Sequence, residues 1–156
     1  MKTALYVATV ARTYRKAIDD YLEDPAKYQA NMSWYQEQIA GCTYRKFTTG
    51  FFYGKPNQEA QIYDNNTYEK GYTYLGFAEA IDERGYVQIT QRNKFTVGET
   101  IEIMKPDGRN LEVVVKSICD EDGNGQESAP HPKQILWVDL GADVDKYDIL
   151  RKKEDN

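Results

Sequence analysis

This chain has few of the residues that most often carry chemistry. In 156 residues there is one histidine, His131, and there are two cysteines, Cys42 and Cys119. His131 stands between Pro130 and Pro132, and no catalytic-cysteine pattern surrounds either thiol, so a Cys/His nucleophile pair has no support. The same scarcity excludes a disulfide framework and a soft-ligand metal site, and leaves both thiols as free, buried or half-buried side chains. Gly50, Gly54 and Gly71 lack the spacing of a phosphate loop or a dinucleotide fingerprint. Apolar runs stay well short of the roughly 20 residues that span a bilayer. No basic segment followed by an apolar one marks a secretory signal, so the expected location is the cytoplasm, with no membrane partner. Basic residues are outnumbered 20 to 25, for a net charge of −5. That argues against general nucleic-acid binding but leaves room for a local basic face.

Tyrosine is abundant, at 13 residues. Its apolar ring and polar tip suit partly buried packing, and also base stacking. Residues 3–22 carry Tyr6, Val10, Tyr14, Ile18, Tyr21 and Leu22 near helical spacing, which predicts an amphipathic helix capped by Thr3 and stopped at Asp24-Pro25. The apolar stripe of that helix calls for a partner surface. Residues 26–32 read as a connector. Ser33 and Gln36 have capping-box spacing for a short helix ending at Gly41. Tyr14, Tyr21, Tyr28 and Tyr35 stand seven apart, but Pro25 interrupts the run, so the repeat reads as coincidence. The stretch 48–56 is too apolar for a free linker and is expected to be pinned across a surface.

From Tyr72 the pattern is β. Strands are expected over Tyr72–Ile81, Tyr86–Gln91, Glu99–Lys105, Leu111–Cys119 and Gln134–Leu140. Tyr147–Arg151 reads as a short strand or extended tail and 151–156 as a solvated end. Val113, Val114 and Val115 suggest a strand buried on both sides. Ile135, Trp137 and Val138 are expected to face inward. Asp120 to Gly125 shares the composition of a calcium loop but lacks its alternating ligands and distal Glu, so a solvated turn is the reading. Short strands with Gly-rich turns predict a small closed β-barrel behind a helical extension, an α+β chain that is mainly β.

Four motifs carry a resemblance. Tyr6-Val7-Ala8-Thr9-Val10 with Arg12 and Tyr14-Arg15, Thr48-Thr49-Gly50-Phe51-Phe52-Tyr53-Gly54-Lys55-Pro56, Gln91-Arg92-Asn93-Lys94-Phe95 with Val97-Gly98-Glu99, and Ala129-Pro130-His131-Pro132 resemble, in order and spacing, the C-terminal part of the U32 peptidases, the collagenase-like proteins. The resemblance implies a barrel like the second domain of translation factors. It divides the chain into a helical extension (1–42) joining an absent catalytic domain, a linker packed on the barrel (43–71), and the barrel (72–156). It implies that Met1 is an internal methionine of a longer protein. The parent would be an enzyme, a protease by family label or a protein of RNA base hydroxylation, while this chain is a non-catalytic accessory domain. Iron–sulfur ligands, where family members have them, belong to the catalytic domain, and no cofactor is expected here. The expected partners are that N-terminal catalytic domain and an RNA or protein substrate.

Arg45-Lys46-Phe47, Tyr53-Gly54-Lys55 and Arg92-Asn93-Lys94-Phe95 each set cations beside an aromatic ring. Arg45, Lys46, Tyr53, Lys55, Arg92 and Lys94 are therefore candidate substrate-binding residues, with phosphate contacts from the cations and stacking from the tyrosine. Asn93 and Phe95 read instead as structural, one holding a turn and the other plugging the core. The competing function is a peptide- or protein-binding module of a genuine U32 protease, accepting an extended strand at a sheet edge.

Overall fold

The computed structural model describes residues 2–42, 51–55 and 71–154. The chain opens with α1 (Ala4–Glu23), where the Thr3 hydroxyl accepts the Tyr6 N–H at 3.2 Å. Asp24 is extended and ends α1. Its carboxylate accepts the Ala26 N–H at 2.9 Å and starts α2 (Pro25–Ala30), whose first turn uses the proline that lacks an N–H. The supposed connector 26–32 is thus largely helical. In α3 (Met32–Ala40), Ser33 lies inside the first turn, so its capping box with Gln36 does not form. Asn31 precedes the helix and makes no side-chain cap, donating instead to Asp20 at 3.0 Å. Gly41 ends α3 with right-handed backbone. Its need is space: a Cβ there would meet the Tyr72 ring at 3.2 Å.

Asp20 is the hub of the helices. It is buried and accepts from Tyr35 Oη at 2.7 Å and from Asn31, while Lys16 and Lys27 pair with it at 3.0 and 3.3 Å. Burial alone would raise its pKa. The hydrogen bonds from Tyr35, Lys16, Asn31 and Lys27 outweigh it and hold the carboxyl well below the usual carboxylate range. A depressed folded pKa stabilises the protein above the unfolded value of about 4, and that stabilisation fades as pH falls toward the folded pKa. The thermal midpoint should therefore drop between pH 6 and pH 3 in the native chain, and drop less in Asp20→Asn. Equal slopes in the two melts would reject this role for Asp20.

Three of the four tyrosines spaced seven apart meet in the fold. Tyr21 meets Tyr28 edge-on at 5.7 Å and Tyr28 stacks on Tyr35 at 5.6 Å, because the turn at Asp24-Pro25 folds α2 and α3 back along α1. The buried face of α1 also differs from the apolar stripe. Leu5, Thr9, Arg12, Thr13 and Asp20 are buried, whereas Tyr14, Ile18, Tyr21 and Leu22 are more than half exposed.

The strands are β1 (Tyr72–Phe77), β2 (Ala80–Ile81), β3 (Val87–Thr90), β4 (Thr100–Met104), β5 (Asn110–Val114), β6 (Ser117–Cys119), β7 (Gly125–Gln126), β8 (Ile135–Asp139) and β9 (Ile149–Lys153). They form two antiparallel sheets, in orders β1-β9-β4-β5 and β2-β3-β8-β6-β7. Both contribute to one core: Leu75, Ile101, Ile103 and Leu150 from the first, Val87, Ile89, Ile118, Leu136 and Val138 from the second, with Phe95 from a loop. The expected closed barrel is not formed. The chain crosses between sheets at Ala78-Glu79 and at Val115-Lys116, breaking two of the expected long strands. Between β1 and the end of β3 the Arg92 N–H donates to the Leu75 carbonyl at 2.9 Å, without a ladder to close the sheets. Gly76 permits that approach, since a Cβ would sit 3.2 Å from the Thr90 carbonyl oxygen.

Three further expectations change. β5 is an edge strand, so the valine run is not buried on both sides: Val115 is buried but Val114 is half exposed. On β8 Val138 enters the core as expected, together with Leu136, while Ile135 and Trp137 take the other face, because strand alternation overrides the bulk of tryptophan. Of the two readings of 147–151 the strand is formed, but it reaches into the expected solvated end and is central: β9 lies between β1 and β4, with Arg151 buried over the Tyr72 ring and paired with Glu102. Helix α1 covers part of this sheet, packing Leu5 and Ala8 on Met104 and Ile149. Among the described residues no helix is long and apolar enough to cross a membrane.

Candidate nucleic-acid interface

Two loops run side by side at one end of the second sheet. The first, 91–95, follows β3; the second, 129–134, precedes β8. Gln91 N–H donates to the Gln134 carbonyl at 2.9 Å and Lys133 N–H to the Gln91 carbonyl at 2.8 Å. At the other end Ala129 N–H donates to the Phe95 carbonyl at 2.9 Å. The fully buried Gln91 side chain adds Nε2 to the Ala129 carbonyl at 2.8 Å. Phe95 inserts into the core beneath, and Asn93 Nδ2 donates to the Tyr74 carbonyl at 2.7 Å. Asn93 and Phe95 thus have the structural roles expected of them, and the basic residues between them are left on top.

Arg92, Lys94 and Lys133 are all exposed. Several other cations among the described residues pair with carboxylates. Arg15 pairs with Asp19, Lys27 with Glu23, Arg84 with Asp82, Arg109 with Asp107, Lys152 with Glu99, and the buried Lys105 with Asp145 and Asp148. Among the described residues no carboxylate pairs with Arg92, Lys94 or Lys133. The patch is therefore a local positive feature on a negative protein, held on backbone fixed at four points. Such a patch offers positive charge for contact with an anion.

The other sequence candidates do not join it. Arg45 and Lys46 lie outside the described residues. Tyr53 and Lys55 occupy an exposed turn over 51–55 closed by Gly54 N–H to the Phe51 carbonyl at 3.1 Å. Phe51, Phe52 and Tyr53 are about four-fifths exposed, so this described part of 48–56 is not pinned down as expected. No hydrogen bond or ion pair among the described residues links it to Arg92 or Lys94. Lys133 went unselected in the sequence although the neighbouring His131-Pro132 turn was noticed; a lysine between that turn and a strand was the available signal.

Cys42 is buried with its pKa raised chiefly by that burial, and Cys119 is half buried on β6. No group of three or more His, Cys, Asp or Glu side chains among the described residues could hold a metal ion, so these residues do not fit an iron–sulfur cluster. The Asp120 loop closes on itself: Asp120 accepts the N–H groups of Asp122 and Asn124 at 3.0 and 2.8 Å and the Asn124 amide at 3.0 Å.

Fold and site together define a mainly β chain with N-terminal helices and a basic loop pair. The model of the peptidase family U32 C-terminal domain matches residues 70–151, and that of peptidase family U32 matches residues 1–62. The chain belongs to the U32 family. It is 35% identical over 153 residues to tRNA hydroxylation protein P1 of Bacillus subtilis, covering 97% of this chain and 36% of that protein. It is 26% identical over 158 residues to tRNA hydroxylation protein P of Escherichia coli, covering 97% and 33%. The chain thus spans about a third of the length of these relatives. Among solved structures it is similar to the C-terminal domain of a Geobacillus thermoleovorans protein assigned to the U32 peptidases, at 32% identity and a TM-score of 0.47, covering 51% of this chain and 99% of that one.

Proposed function

We propose that this chain is a non-catalytic RNA-positioning module of a U32-family protein that acts on transfer RNA, presenting substrate to a catalytic domain borne elsewhere in the same protein. The observation that carries the reading is the pair Arg92 and Lys94, exposed and without a carboxylate partner among the described residues, on a loop whose backbone is hydrogen-bonded to its neighbours. Phosphate contacts of this kind position a nucleic acid without reading its sequence. The hydroxylation of transfer RNA named for the relatives supplies the substrate class.

Titration of the whole chain with labelled transfer RNA at two salt concentrations tests this. Binding should be saturable and weaken steeply with salt. In Arg92→Glu/Lys94→Glu the affinity should fall at least about tenfold and the salt slope should flatten by about two. Absence of binding at low salt, or an unchanged double variant, would overturn the reading.

A further inference from the structure

Resting on that reading, we propose that Lys133 is the third phosphate-contacting cation of the loop pair, held toward the RNA by a left-handed backbone. Lys133 has φ of 68°, and it is one of two non-glycine described residues with positive φ. A lysine gains nothing locally from that conformation. Glycine or asparagine would adopt it more readily. The conformation is nevertheless fixed from both sides: Lys133 N–H donates to the Gln91 carbonyl at 2.8 Å, and the next residue, Gln134, donates to the His131 carbonyl at 3.2 Å. The Gln91 carbonyl belongs to the same peptide group as the Arg92 N–H. Hence the turn that strains Lys133 also places it beside Arg92, with Lys94 two residues further on.

A structural lysine would be expected to cover apolar surface or to pair with an acid. Lys133 is exposed and has no carboxylate partner among the described residues. What remains is an exposed ammonium group, on backbone hydrogen-bonded to the loop of Arg92 and Lys94, in a chain of charge −5. Three exposed cations on two hydrogen-bonded loops suit successive phosphates of a single-stranded or looped RNA, where lysine supplies a point charge on a flexible stem. Strained backbone kept at a ligand-contacting position is a recognised pattern.

Lys133→Gly separates this role from a structural one, because it removes both the charge and the strain. The variant should melt at the same temperature as the native chain or higher. Its affinity for transfer RNA should fall about three- to tenfold, with a salt slope flatter by about one. Lys133→Arg, which keeps charge and conformation, should bind like the native chain. Native affinity in Lys133→Gly overturns the proposal even where Arg92→Glu/Lys94→Glu has lost binding, and so does a lowered melting temperature that accounts for the loss. If the native chain itself does not bind, the RNA reading fails first and takes this inference with it.

Discussion

Lys105→Met should destabilise the protein by about 3–5 kcal/mol, the usual consequence of leaving a buried charge without its partner. Lys105 is 2% exposed, and its Nζ lies 2.7 Å from Asp148 and 2.8 Å from Asp145. Asp145 is largely exposed and can turn to water, whereas Asp148 is buried and cannot. Asp148 also builds the turn that leads into β9. Its carboxylate accepts the Asp145 N–H at 2.8 Å, its N–H donates to the Asp145 carbonyl at 3.0 Å, and its carbonyl accepts from Ala78 at 2.8 Å. A melting temperature lower by about 10 °C is expected for a chain of this size. Burial would lower the Lys105 pKa, but Asp145 and Asp148 more than offset it and raise it above the ordinary lysine value. The stabilisation is therefore complete below the unfolded lysine pKa and is lost only as pH rises through the folded one, so the loss should be equal at pH 6 and pH 8. Lys105→Met/Asp148→Asn should recover part of it. A single variant melting within about 2 °C of the native chain would refute the assignment.

Arg12→Met should cost about 3 kcal/mol, mainly by releasing the helices from the sheet. The buried guanidinium donates through Nη1 to the Lys105 carbonyl at 3.0 Å, the Arg109 carbonyl at 3.3 Å and Asn110 Oδ1 at 2.8 Å, and through Nη2 to Gln38 Oε1 at 2.6 Å. One side chain thereby ties α1 to α3 and to the turn between β4 and β5. Burial, followed by the nearby Arg151, lowers its pKa to about 10, so it remains charged at neutral pH. Methionine has a similar reach but offers no donor, leaving the Gln38 and Asn110 acceptors unsatisfied. Limited proteolysis should show the helical segment cut faster than the sheets. Uniform cleavage, or an unchanged melting temperature, would show that the clamp is dispensable.

The residues that were legible in the sequence are those whose roles are local. Thr3 and Asp24-Pro25 mark helix ends by capping and by the missing N–H of proline, and both marks hold. Ile101 and Ile103 alternate with polar neighbours and lie in the core. Asn93 and Phe95 could be assigned from turn and core chemistry alone. Where the sequence misled, a distant partner decided. Arg12 lies between the apolar positions of the expected stripe, yet carbonyls almost a hundred residues away make it part of the buried side of α1. Arg151 looked like the start of a charged tail, but Glu102 and the Tyr72 ring draw it into the sheet. The basic loop pair was half visible: Arg92 and Lys94 share one motif, whereas Lys133 reaches them through a backbone bond that no local pattern announces.

The place of β9 has a consequence for how the chain comes off the ribosome. The four-stranded sheet is built around Ile149–Lys153, with β1 on one side and β4 on the other. Until those five residues have been made, β1 has no neighbour in its sheet, and β4 is held only by β5. The local helices and hairpins can form early, but the first sheet must wait with its apolar face uncovered, since pairing across some 75 residues of sequence is slow and depends on the last partner to arrive. A nascent chain stalled before residue 149 would therefore expose Leu75, Ile101 and Ile103 together, and would be a natural client for a chaperone that binds apolar strands.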